Sequence, residues 1–411
     1  MAPDQQRLLK WIDGLRGIAS VLVICTHLAR AWDHDLFMPR SAEDVPPRLL
    51  QLPFLRIPGQ GRLSVAIFAF LTGYVSALKP LRLTRSGNPG SALSTLAKSA
   101  FRRIPRLVMP TTIATILAWA LCQAGAFEVA KRSDAAWIAE ASPQLKTFPG
   151  DALRSLWREL VQTWASGHNM YDHHQWTMLP LLQSSMMVHL ALVGTACWGM
   201  FLSELAHHPP AQAYISSSKW LTTIVPPILI SIALFLCSYP QDRPEWSAWS
   251  KVMADFAPWL FPYEADVPRF YTALGIELFT LGVQLSDVTK EFLSNKYLLW
   301  LGKNSFAVYL LHGTLLRTVL VWMFYGAIVP PNPNMTVNDK GEIPPTEPLH
   351  LLAPPFLIIG LAIWFGIVYF IADFWTKHID GFCGRVTQAL EAYVFDDNDE
   401  KASRYPLICV T

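Results

Sequence analysis

Two titratable side chains, Arg16 and His27, lie inside one apolar run, Trp11–Trp32. Such groups are costly in a bilayer and usually face a cavity or a partner. They stand eleven positions apart. At about 100° and 1.5 Å per residue they return to nearly one helix face, about 16 Å apart along the axis. An imidazole with a pKa of about 6.5 can move protons near neutral pH, and the planar fork of a guanidinium suits phosphate. The plainer reading is a snorkelling arginine and a histidine hydrogen-bonded to a neighbouring helix. His312, about six residues and so roughly 9 Å into a later apolar run, is open to the same two readings. Asp172 and His174 stand just before another run, where an aspartate also serves as a turn or helix cap. Arg102, Arg103 and Arg106 form, with Arg16, a cationic mouth. It is suited either to a phosphorylated ligand or to orienting the chain against anionic lipid heads. The adjacent His173 and His174 do not make a four-ligand metal site unaided, and no metal is expected.

The elements that carry these residues read as membrane spans. The 411 residues are 52% hydrophobic and 16% charged, against about 25% charged in a typical soluble domain. That balance excludes disorder, and a net charge of +2 gives no reason to expect a nucleic-acid partner. The six cysteines are scattered, four of them in apolar runs, without the spacing of a disulfide framework or a zinc site. Eight stretches approach the roughly 20 residues of a helical span. They are Trp11–Trp32, Leu63–Leu78, Leu107–Phe127, Met178–Leu202, Trp220–Cys237, Phe270–Leu285, Phe306–Val329 and Leu351–Trp375. Two weaker ones, Lys251–Phe261 and the amphipathic Leu153–Ala165, suit re-entrant or interfacial helices. The fold class is therefore all-α, a polytopic bundle of about 8–10 spans over residues 1–376, followed by a polar tail, 377–411.

Between the second and third spans, Lys79, Arg82, Arg85, Lys98, Arg102, Arg103 and Arg106 occur with no acidic residue, which places that segment in the cytosol. Both termini are then cytosolic. The sequon Asn334-Met335-Thr336 falls in a Pro-rich segment assigned to the opposite side, so Asn334 is a glycosylation candidate. The N-terminus imitates a signal peptide, but Asp13, Arg16 and Arg30 interrupt the pattern, and cleavage is not expected.

Five elements in order resemble the acyltransferase-3 family of integral membrane acyltransferases. Arg16 and His27 match its Arg, ten residues, then His. Phe68-Ala-Phe-Leu-Thr-Gly-Tyr74 resembles its Phe-rich second-span element, and Arg102-Arg103-Ile-Pro-Arg106-Leu-Val-Met-Pro110 its Arg-rich entry to the third. Tyr171-Asp172-His173-His174-Gln-Trp176-Thr177 is similar to the element before the fourth span of fungal members. Gly302-Lys-Asn304-Ser305-Phe306-Ala-Val-Tyr309-Leu-Leu-His312 is similar to the late element ending in His. Fungal members usually carry Glu five residues after the tryptophan, where this chain has Leu181, so any step given to that carboxylate would fall to another group such as Glu277.

The resemblance implies a fungal-type O-acyltransferase of an endomembrane, most simply the endoplasmic reticulum. It would move an acyl group, most simply acetyl, from a coenzyme A thioester to a hydroxyl of a lipophilic secondary metabolite such as a terpenoid or polyketide. That chemistry needs a base and a stabilised oxyanion. His27 is the expected base, Asp172 or His174 its orienting group and His312 a support. Arg16, Arg102, Arg103 and Arg106 are the expected docking point for coenzyme A. Acyl-CoA is a co-substrate with no permanently bound cofactor, and the expected partners are the bilayer and the acceptor. The rival readings are acylation of a glycan or lipid, and a proton-coupled exporter, which would use the same Arg and His as a relay. Oligomeric state is not legible.

Overall fold

The computed structural model describes residues 3–87, 89–183, 195–326, 348–352 and 354–404. Among them the chain is helical, and the one β-type pairing is an isolated bridge between Ser133 and Leu349. Among the described residues, six helices are long and apolar enough to cross a membrane: Lys10–Trp32, Gly61–Arg85, Ser94–Gln123, Lys219–Cys237, Lys296–Tyr325 and Phe356–Phe395. Each overlaps an expected span. Of the other two, Phe270–Leu285 is part of a 19-residue helix, Val267–Leu285, in which Arg269, Glu277 and Gln284 dilute the apolar character. Met178–Leu202 lies for residues 184–194 outside the described residues, as does the sequon at Asn334.

The helices that position the site are α1 (Pro3–Trp32), α2 (Gly61–Arg85), α3 (Pro89–Gln123), α4 (Pro149–Ala165), α5 (Val267–Leu285) and α6 (Lys296–Leu315). Helices α1 and α6 meet backbone to backbone. A Cβ on Gly302 of α6 would lie 1.8 Å from the Asp13 carbonyl oxygen, and one on Gly14 would lie 1.7 Å from that of Leu293, in the short helix Asp287–Leu293 that precedes α6. Gly17 faces Leu298, Leu301 and Gly302 in the same way. Small residues are what allow such approach between membrane helices. The two helices run parallel from this contact. His27 stands ten residues beyond Gly17 and His312 ten beyond Gly302, so about 15 Å of rise carries both imidazoles to one level.

Helix α4 is amphipathic as expected, but only part of its apolar face is inward: Leu156, Leu160 and Trp164 are half-buried, and Trp164 packs on the core. Leu153, Trp157 and Val161 are exposed, while Ser155, Glu159 and Thr163 are buried. A surface bathed in lipid accepts apolar side chains, and the polar face is then free to bond inward. It holds the segment leading to Asp172. Asn169 Nδ2 donates to Thr163 Oγ1 at 2.9 Å, the Met170 amide to Glu159 Oε2 at 2.9 Å, and Ser155 and Tyr171 share a hydroxyl bond of 2.6 Å. At the C-terminal end the chain does not break at residue 376. Helix Pro354–Trp375 continues through a π-helical turn, Thr376–Asp380, into Gly381–Arg404, and Glu391 of that last helix pairs with Arg102.

Candidate functional site

Three imidazoles from three distant segments meet at one level of the bundle. His27 comes from α1, His312 from α6, and His174 from the short 3-10 turn His173–Thr177. Ring centroids are 4.1 Å apart for His27 and His174, 5.1 Å for His27 and His312, and 4.7 Å for His174 and His312. Trp137 stacks over His27 at 5.8 Å with an interplanar angle of 17°. The close seat of His174 against α6 depends on Gly313, because a Cβ there would lie 1.9 Å from His174 Nδ1.

Two of the imidazoles are constrained at one nitrogen and open at the other. His174 Nδ1 is 2.8 Å from Asp172 Oδ1, and His312 Nδ1 is 3.0 and 2.9 Å from the carbonyl oxygens of Val308 and Tyr309. Those acceptors place the proton on Nδ1 in both rings and leave the Nε2 lone pairs free. Among the described residues, His174 Nε2, His312 Nε2 and His27 Nδ1 are buried without a hydrogen-bond partner. These three nitrogens point into the same few ångströms.

Asp172 is fixed from every side. Its amide and that of Tyr171 donate to Asn169 Oδ1 at 3.1 and 3.0 Å, and its own Oδ1 accepts from the His174 amide at 3.2 Å. Arg317, fully buried, approaches the same oxygen at 3.5 Å and donates to the Tyr171 carbonyl at 2.9 Å and the Gly313 carbonyl at 3.1 Å. It sits on a π-helical turn, Leu316–Leu320, directly after α6. One extra residue in a turn re-aims the side chains that follow, and such turns recur at functional sites. Burial pushes the Asp172 carboxyl above its ordinary range, with the Arg317 guanidinium working against that shift. Burial first, and then His312, push the His174 imidazole well below 6.5, so it is neutral at physiological pH.

Two cavities meet at this cluster. One, of about 460 Å³, is lined by Thr26, His27, Arg30, Arg62, Tyr309 and others; the second, of about 390 Å³, by His27, Trp137, Asn169, His173 and His174. His27, Arg30 and Trp176 border both.

The expected site residues thus divide into two groups. His27, Asp172, His174 and His312 come together, with one refinement: Asp172 bonds His174 and not His27. Arg16, Arg102, Arg103 and Arg106 line neither cavity. Arg16 is bonded to Asp13 at 3.4 Å, Arg102 to Glu391 at 3.2 Å and Arg103 to the Ser76 hydroxyl. Glu277, the alternative to the missing carboxylate at Leu181, also lies outside both cavity linings, and Leu181 packs against the core. Arg317 and Gly313 were not singled out from the sequence. The signal for Arg317 was its charge in the middle of the run Phe306–Val329, by the same rule that singled out His27. Nothing local marks Gly313.

The three imidazole nitrogens lie within 4.8 Å of one another, so small ring movements would let them close on one ion. The Asp172 and backbone partners are also of the kind that metal-binding imidazoles use. The surrounding charge works against a dication: Arg317 and Arg30 stand beside the cluster, and of the nearby carboxylates Asp172 is already faced by Arg317, while Glu140 lines the second cavity.

Residues 9–240 match the profile of an acyltransferase domain, the acyltransferase-3 family. The O-acetyltransferase PaAT-1 of Phomopsis amygdali is 26% identical over 373 residues, covering 75% of this chain and 72% of the relative. Acyltransferase clz18 of Cochliobolus lunatus is 22% identical over 75% of this chain and 83% of its own. Acyltransferase R4 of a Phoma species is 23% identical over 74% and 81%. No solved structure matches. With the family's profile spanning more than half of its length and the paired Arg16 and His27 inside the match, the chain belongs to the acyltransferase-3 family of membrane acyltransferases.

Proposed function

We propose that the enzyme transfers an acetyl group from acetyl-CoA to a hydroxyl of a lipophilic small molecule, in the manner of fungal secondary-metabolite O-acetylation. The observation that carries this reading is the imidazole cluster at the junction of two cavities, with Asp172 behind it. Two cavities admit two substrates, and His27 borders both.

His174, its Nδ1 proton held by Asp172, turns the Nε2 lone pair toward His27. That favours a proton on His27 Nδ1 and leaves His27 Nε2 as the base. The acceptor gives its O–H proton to this nitrogen, and its oxygen attacks the thioester carbonyl. The C–S bond then breaks, and the leaving thiolate recovers the proton from the imidazolium. A base placed in this way contributes about 10²–10⁴-fold.

An endoplasmic-reticulum location with both termini cytosolic suits the basic segment between the second and third spans, and Asn334 would then face the lumen. Labelled acetyl-CoA supplied to purified enzyme with a panel of hydroxylated terpenoids and polyketides is expected to yield labelled ester. An exporter would form none, and ester formation confined to glycan or lipid acceptors would move the reading to that class.

A further inference from the structure

The larger cavity carries charges that neither the motifs nor the proton chemistry account for. Arg30 stands at the end of α1, Arg62 at the start of α2 and Arg269 at the start of α5, and all three line it. Among the described residues, no aspartate or glutamate lines it. Arg269 is paired with Asp266 at 2.8 Å and largely exposed. Arg30 lies over the Phe37 ring at 5.4 Å. Among the described residues neither Arg30 nor Arg62 makes a hydrogen bond or an ion pair. Both are partly buried. Gln60 and Gln241 add amide groups to the same wall, while Val23, Ala66 and Ala69 supply an apolar one.

Asp242 acts electrostatically on both guanidinium groups and Asp266 on Arg62, but neither carboxylate bonds them. A guanidinium withdrawn from water without a directly bonded carboxylate is costly until an anion meets it. Their fork geometry favours carboxylate and phosphate. The basic residues first expected to dock the donor lie elsewhere, with Arg16, Arg102 and Arg103 bonded to Asp13, Glu391 and Ser76. We propose that Arg30 and Arg62 bind an anionic group, a carboxylate or phosphate, carried by a substrate that enters this cavity and reaches His27 with its reacting end. Arg30 borders both cavities, so the anion sits within one side chain of the imidazoles. A substrate with an acid at one end and a hydroxyl at the other, its apolar body along Val23, Ala66 and Ala69, fits this arrangement. The same guanidinium pair would also meet the phosphates of coenzyme A if the donor uses this door. The inference rests on the acyl-transfer reading for the role of the anion, and on the cavity alone for its binding.

The test is equilibrium binding to the full-length protein in nanodiscs, which needs no turnover. Two matched pairs of probes separate the sources: 3-hydroxydecanoate against its methyl ester, and coenzyme A against pantetheine. We expect the acid to bind about tenfold or more tightly than the ester, the worth of one charge-assisted contact. In an R30Q/R62Q double variant that preference should fall to about threefold or less, and R30K/R62K should retain part of it. A preference confined to coenzyme A, and lost in the same double variant, keeps the anion site and assigns it to the donor. If neither pair shows a preference, or the preference survives R30Q/R62Q, the proposal is overturned. Should the preference hold while no ester forms from acetyl-CoA with any acceptor, the anion site stands and the acyl-transfer reading falls.

Discussion

The two ends of the first helix solve different physical problems. At Arg16 the partner is Asp13, three residues away at 3.4 Å, and both side chains are more than a third exposed. Such a pair is screened, easily exchanged and worth little. At His27, eleven residues on, two further imidazoles, an indole and a carboxylate behind them are packed into fixed positions by three other segments. One end is suited to electrostatics that form and dissolve. The other holds polar groups where water cannot relax around them, which is where orientation and proton affinity can be set in advance. The contrast teaches that a motif pair on one helix need not act as one unit.

Substitution at the imidazole end should have the largest effect. His27→Ala is expected to lower ester formation by about 10²–10⁴-fold with little change in melting temperature. Full turnover in the purified variant would remove the proposed base. Asp172→Asn strands the buried Arg317 guanidinium and should cost about 3–5 kcal/mol of stability along with most activity. Adding Arg317→Met should restore much of the stability and none of the activity, so recovery of both would show the carboxylate to be only structural. Gly313→Ala forces the His174 ring away. An overpacking cost of about 1–3 kcal/mol is expected, with roughly ten- to hundredfold slower transfer from misplacement. An unaltered rate would separate the seat of His174 from catalysis.

The pH dependence sharpens the comparison further. The His174 imidazole is held well below 6.5 by burial. Below pH 6.5 the unfolded chain binds a proton that the folded one refuses, so stability should fall as pH drops from 6.5 and be flat in this respect above it. A melting-temperature series from pH 7.5 to 5 checks the sign, and His174→Gln should flatten the slope. The smallest effect is expected at the other end: Arg102→Ala breaks a half-exposed pair with Glu391 and should change stability by less than about 1 kcal/mol. If it raises the KM for acetyl-CoA severalfold with kcat unchanged, Arg102 contacts the donor after all.

Much of the architecture was legible because lipid imposes a simple rule on composition. Long apolar runs such as Trp11–Trp32 and the described part of Phe306–Val329 fall in the helices Lys10–Trp32 and Lys296–Tyr325. Helix α4 was legible as amphipathic, but not the side on which it would pack, since the same pattern serves a helix with water or with lipid outside. His27, Asp172, His174 and His312 were legible individually, by cost of burial or by motif. Their convergence was not, for they lie up to 285 positions apart.

By itself, the sequence determined which residues must leave water and which charges must go with them, because apolar transfer is a sum over local composition. Which charges meet was decided only in three dimensions. Gly17 and Gly302 set α1 and α6 in register, Gly313 opened room for His174, and a π-turn aimed Arg317 at Asp172. Those outcomes depend on backbone separations of an ångström or two between distant segments, a quantity no local pattern of residues encodes.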